Sequence, residues 1–207
     1  MSVPSVCRRR FLLRSAAGAL MLGALPATWA ARPDDARLQL AESLAAGELT
    51  LYFRHGATTR GGVDRPEWPR ERQRLLSEAG EAQARAVGAA FRRHGWPVGE
   101  VIASPMARCR DMAEIAFGRV HESSDLLGLL FEGGSRQRRI EQSLQLLRRS
   151  ASGGNRILVG HSSNIQESTG VHLPEGGAVL VRAAADGSGF TVLGRLDPAD
   201  WAALAEA

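Results

Sequence analysis

Arg54-His55-Gly56 sets a guanidinium beside an imidazole, ahead of a residue that lets the backbone turn with no side chain in the way. A neutral imidazole can attack phosphorus and form a covalent intermediate, while a guanidinium offers a planar fork of donors to phosphate oxygens. His55 therefore reads as a nucleophile that accepts a phosphoryl group. A tripeptide this short occurs by chance in many proteins, so the reading depends on partners arriving later in the chain. Two do: Ser104-Pro105-Met106-Ala107-Arg108 brings a second arginine, and Gly160-His161 a second histidine.

Each of these groups follows a predicted strand. The stretches 49–53, 98–103 and 156–160 are short, apolar and β-prone, as expected of strands buried on both faces of a sheet. In an open α/β sheet ligands bind at the carboxyl ends of the strands. If the strands before His55 and His161 are neighbours, the two histidines share one site with Arg54 and Arg108. Arg108 lies about one turn into the helix that Pro105 opens and can point back to the strand end. Arg110, about 200° further round, cannot face the same pocket.

The remaining elements are scaffold and loops. Helices are expected over 36–46, from a Ser77 cap through Ala84, Val87 and Phe91 to Gly95, and over 136–150 with Ile140, Leu144 and Leu147 inward and the arginines outward. A further helix should begin near Ile165, capped from Ser162 to Asn164. His94, at a helix C-terminus, and Cys109, on a helix, read as structural. Residues 57–74 carry Gly61-Gly62, Pro66 and Pro69 and predict a loop over the carboxyl edge, with Trp68, Arg70, Arg72 and Arg74 placed to touch a substrate. A weak strand is expected over 119–121, and Glu132, beside two glycines, is a loop carboxylate able to reach a cleft. A hairpin over 178–183 and 190–196 and a helix from Pro198 close the chain. The fold class expected is α/β, a three-layer sandwich with a mostly parallel central sheet flanked by helices, in a single domain over 31–207.

The 207 residues carry a net charge of +4, but the excess is confined to the first thirty. Arg8, Arg9, Arg10 and Arg14 have no acidic neighbour there; without them 22 basic residues face 22 acidic ones, which removes the electrostatic case for a nucleic-acid partner. Arg8-Arg9-Arg10-Phe11-Leu12-Leu13, an apolar segment from Ala16 to Leu25 and small residues up to Ala31 have the form of a twin-arginine signal peptide. Residues 1–30 are expected to be a cleaved leader and the mature protein periplasmic. The apolar segment is short of the roughly 20 residues a membrane span needs, so no stable membrane insertion is expected after cleavage. Of the two cysteines Cys7 leaves with the leader, so Cys109 has no internal partner for a disulfide.

Taken together, Arg54-His55-Gly56, Ser-Pro-x-x-Arg at 104–108 and Gly160-His161 stand in the order and approximate spacing of the histidine phosphatase superfamily, the phosphoglycerate mutase-like fold. The similarity runs from Leu49 to Leu196. It includes Gln73-Arg74-x-Leu76-Ser77 and the segment from Asn164-Ile165 to Thr169-Gly170, which are similar to small exported bacterial members. The resemblance implies a phosphohistidine mechanism on His55, with Arg54, Arg108 and His161 holding the phosphoryl oxygens and Thr58 among the substrate-binding residues. It implies a small phosphorylated substrate and neither cofactor nor metal. A loose phosphoryl-transfer transition state spreads charge over three equatorial oxygens, so positive donors around it are the appropriate catalysts.

The departures from the family concern the general acid. The phytase branch has an acidic residue directly after the second histidine, where this chain has Ser162. The mutase branch takes its acid from a loop after the second-arginine helix, where Glu132 is the candidate and Glu175 the reserve. Similar exported proteins carry Gly-Glu where this chain has Gly177-Ala178. The expected activity is hydrolysis of a phosphomonoester. The alternative is a phosphate-binding or envelope-sensing protein that keeps the pocket but lacks the acid.

Overall fold

The computed structural model describes residues 33–131 and 134–207, the side chains of 33–38 apart. The leader expected over 1–30, its cleavage point and Glu132 lie outside the described residues. The elements are α1 Pro33–Ala46, β1 Thr50–Arg54, α2 Glu78–His94, β2 Val98–Ala103, α3 Ala107–Phe117, β3 His121–Glu122, α4 Arg136–Arg148, β4 Asn155–Gly160, α5 Ser162–Thr169, β5 Ala178–Ala183, β6 Phe190–Leu196 and α6 Pro198–Glu206.

Apolar residues at successive positions of one strand must find two cores, because neighbouring side chains point to opposite faces. Leu51 and Phe53 of β1, with Ile157 and Val159 of β4, pack among α2, α3 and Trp201 of α6. Tyr52 and Leu158, one residue out of phase, pack with Leu146, Leu147 and Ile165 of α4 and α5. The result is the expected three-layer sandwich, with strand order β3-β2-β4-β1-β5-β6. β3, β2, β4 and β1 pair in parallel, whereas β5 runs antiparallel to both of its neighbours. β4 thus lies between β1 and β2, so the three strands that precede the sequence motifs end side by side.

Four local expectations shift. α3 begins at Ala107 with Met106 in extended backbone as its N-cap, which leaves Pro105 ahead of the helix. α5 begins at Ser162 rather than near Ile165, because His161 itself supplies the extended residue from which the helix starts. The weak strand is two residues long, at His121–Glu122. Arg139 points inward: its Nη1 donates to the carbonyls of Gly128 and Phe131 and its guanidinium lies 5.3 Å from the Phe131 ring centre. Those carbonyls belong to the loop before α4, and a long side chain with several donors satisfies them where an aliphatic one would not.

The turn after His55 is pressed by the start of α2. Ser77 caps that helix by accepting from Gly80 N–H at 3.2 Å, and its own N–H donates to the Ala57 carbonyl. This brings Gly80 against the turn so closely that a Cβ there would lie 2.1 Å from the Ala57 oxygen. Backbone meets backbone at this point, so no side-chain rotation relieves the overlap. Gly80→Ala is expected to destabilise the protein by about 1–3 kcal/mol, the usual range for overpacking. Urea unfolding is the check, and a midpoint equal to wild type would mean that the turn has room to move.

Candidate functional site

The backbone of His55 is held from both sides. Its N–H donates to the Gly160 carbonyl at 3.0 Å, and its carbonyl accepts from Gly176 N–H at 3.0 Å. One step earlier Arg54 stands in register with Gly160 and donates its N–H to the Gly177 carbonyl. The parallel neighbour β4 and the segment entering antiparallel β5 therefore clamp the residue between them. The His55 ring lies against that of His161, with centres 5.6 Å apart and planes inclined at 68°. Arg54, His55, Arg74, Arg108 and His161 line one cavity of about 380 Å³ at the carboxyl edge of the sheet.

Both histidines are buried, His55 at 4% and His161 at 8% exposure. Burial and the nearby Arg108 guanidinium push the pKa of His55 down to about 3, and the same causes hold His161 well below its usual value. The Nδ1 of His55 lies 2.8 Å from the carbonyl oxygen of Gly56. A carbonyl only accepts, so Nδ1 carries the proton and Nε2 presents a lone pair. His161 is set by two other groups. Tyr52 Oη accepts from its backbone N–H and donates to its carbonyl, while Ser104 Oγ lies 3.1 Å from Nε2.

Arg54, Arg65, Arg74 and Arg108 line the cavity, and two carboxylates are tied to three of them. Glu175 pairs with Arg54 at 3.2 Å and approaches Arg74 at 3.9 Å. Asp64, only 5% exposed, takes both oxygens to Arg108 Nη1 at 2.9 and 3.1 Å and accepts the Arg74 N–H at 2.8 Å. The Nε of Arg108 is buried with no hydrogen-bond partner. Sequence reading did not single out Asp64. Its only signal is an acidic residue in a loop otherwise rich in arginine and glycine.

The expected site residues fall into place unevenly. His55, Arg54, Arg108 and His161 share the cavity. Thr58 stands behind Arg74, whose Nη2 donates to its hydroxyl at 2.8 Å, and does not line the cavity. Among the other loop residues, Arg70 pairs with Asp111 at 2.8 Å and Arg72 covers Trp68, so Arg74 alone of that group reaches inside. Arg110 points away and pairs with Glu122, as its place on the helix requires. Cys109 is buried with its thiol pushed up to about 12 chiefly by burial, and His94 stacks on Trp96. His121 and His172 are exposed, and among the described residues no group of three His, Cys, Asp or Glu converges in a way that could hold a metal ion.

With this geometry in hand, residues 51–129 match the family model of the histidine phosphatase superfamily (branch 1). No curated protein matches the chain. Among solved structures it is similar to the protein histidine phosphatase SixA complexed with tungstate, at 15% identity and TM-score 0.55, over 73% of this chain and 98% of that one. It is also similar to a phosphoserine phosphatase variant from Entamoeba histolytica in complex with phosphoserine, at 14% identity and TM-score 0.54, over 72% of this chain and 97% of the other. Phosphoglycerate mutase from Thermus thermophilus is similar at 20% identity and TM-score 0.51, over 72% of this chain and 98% of that one. The chain thus resembles the histidine phosphatase superfamily in its motifs, in the family model and in its fold.

Two outcomes follow from the electrostatics. Asp64→Ala strands the Arg108 charge in a buried place and is expected to lower stability by about 3 kcal/mol. Added inorganic phosphate should recover more of the loss than it adds to wild type, and an unchanged urea midpoint would show that the pair contributes nothing. The second concerns pH. His55 binds its proton near 3 when folded and near 6.5 when unfolded, so the unfolded chain holds more protons in that window and stability falls on acidification through it. In His55→Gln the fall should be shallower by more than about 1 kcal/mol, given about 1.4 kcal/mol per pKa unit. Equal slopes in the two proteins would mean that His55 titrates normally.

Proposed function

We propose that this chain is a phosphatase that hydrolyses a phosphomonoester through a phosphohistidine on His55, and that residues 1–30 export it to the periplasm by the twin-arginine route. The observation that carries the reading is the state of His55: neutral, with its proton committed to Gly56, in a cavity lined by Arg54, Arg74 and Arg108. In the first step Nε2 bonds to phosphorus as the ester P–O bond breaks, and the departing oxygen takes up a proton from solvent water. In the second, water attacks the phosphorus, the N–P bond breaks and inorganic phosphate leaves.

The arginines act on the three equatorial oxygens, and being preorganised they need no rearrangement as charge shifts. With Nε2 of His161 occupied by Ser104, Nδ1 is the nitrogen left for a phosphoryl oxygen. It carries a proton when the Ser104 hydroxyl donates to Nε2. The reaction so written calls for no metal.

One observation favours a second reading, a phosphate-binding protein with little turnover. The residue after His161 is a serine, and both Asp64 and Glu175 have their carboxyl oxygens tied to arginines. The test is incubation of the purified mature protein with an aryl phosphate in the presence of chelator, with acid quenching to trap an acid-labile phosphoenzyme. Turnover with an adduct that is absent in His55→Ala, together with a rate loss of at least about a hundredfold, is the expected result. Phosphate binding without turnover or adduct would establish the binding protein instead.

A further inference from the structure

Two of the most exposed large apolar residues among those described, Val63 at 77% and Leu130 at 90%, both line the cavity that holds His55. They come from different loops, one following β1 and one preceding α4. Single exposed apolar residues are ordinary, but convergence from separate loops on one charged cavity is a different matter. Met106, Leu127 and Phe131 line the same walls. At about 30 Å³ per water-sized group, the four oxygens of a phosphate fill about a third of the 380 Å³. The rest has room for the organic part of a substrate.

Beyond the arginines that take the phosphoryl group, the walls carry Arg65, whose guanidinium lies 4.0 Å from Glu67, and few other polar groups among the described residues. Asp64 is the one carboxylate on the walls, and its oxygens are held by Arg108 and Arg74. Ser163 Oγ accepts from Leu129 N–H and donates to Asn164, which leaves Ser162 as the neutral side chain not already spoken for by the fold. Along Val63, Leu130 and Phe131 the hydroxyls of a sugar or polyol meet apolar side chains, whereas a hydrocarbon gains apolar contact there.

Building on the phosphatase reading, we propose that the substrate is a phosphate monoester of an apolar alcohol or phenol. Its phosphoryl group sits among the arginines and its hydrocarbon lies along Val63, Leu130 and Phe131.

The test measures binding alone, using n-alkylphosphonates from methyl to hexyl, whose C–P bond does not hydrolyse, with inorganic phosphate and glucose 6-phosphate for comparison. Affinity is expected to rise about two- to fourfold per methylene. In Val63→Ser/Leu130→Ser the rise should vanish while inorganic phosphate binds as in wild type; both positions are exposed, so the variant should fold. A flat series beside intact phosphate binding, or glucose 6-phosphate binding as well as hexylphosphonate, overturns the substrate class. Loss of phosphate binding altogether would strike at the phosphatase reading. Sedimentation with phosphatidylcholine vesicles, with and without phosphatidic acid, separates the sources of the alcohol. Capture by phosphatidic acid assigns it to a lipid, and absence of capture, given a rising series, assigns it to a free small molecule.

Discussion

Like charges close together on a partly buried surface repel, and this site brings Arg54, Arg74 and Arg108, with Arg65 beside them, onto the walls of one cavity. What makes the arrangement tolerable is that two carboxylates arrive from outside the motifs: Glu175 reaches Arg54, and Asp64 reaches Arg108. Neutralising each guanidinium on one edge leaves the other edge for an anion. Burial first, and then the positive charge of the nearby Arg108, keeps His55 and His161 unprotonated. The charge of the arginines and the lone pair of His55 are therefore linked, since the field that would favour an anion in the cavity adds to burial in holding the imidazole neutral.

That design stands on strand order. Placing β4 between β1 and β2 makes neighbours of three segments separated by about fifty residues each along the chain, and parallel pairing brings their carboxyl ends to one edge. β5 contributes in the opposite sense. Its antiparallel approach carries Gly176 and Gly177 past the end of β1, where they fix the backbone of His55 and Arg54. The loops then only have to bring side chains to a frame already set.

The frame was legible in the sequence because it is written in local terms. Short apolar runs, the Ser77 cap, Gly95 after α2 and the residues behind each strand need no knowledge of distant contacts, and they placed His55, Arg54, Arg108 and His161 together. What was not legible depends on tertiary pairing. Asp64 is an ordinary acid until Arg108 lies beside it, and nothing in the pattern of α4 separates inward Arg139 from its outward neighbours. In a chain whose basic residues are all arginine, the side chain alone carries little information about its role. The early start of α5 escaped for a related reason: the cap is a backbone conformation of His161, and Ser162 to Asn164 offered more obvious capping groups.

Tyr52 shows how deeply the site is set into the core. Its hydroxyl grips the backbone of His161, and it fills the space over Gly160 so fully that a Cβ there would lie 2.3 Å from the hydroxyl oxygen. With Tyr52 in place, position 160 has room only for glycine. Val63 and Leu130 are under no such constraint, since most of each side chain faces solvent. The rim can therefore change one residue at a time while the buried histidines and the arginines beneath it stay as they are.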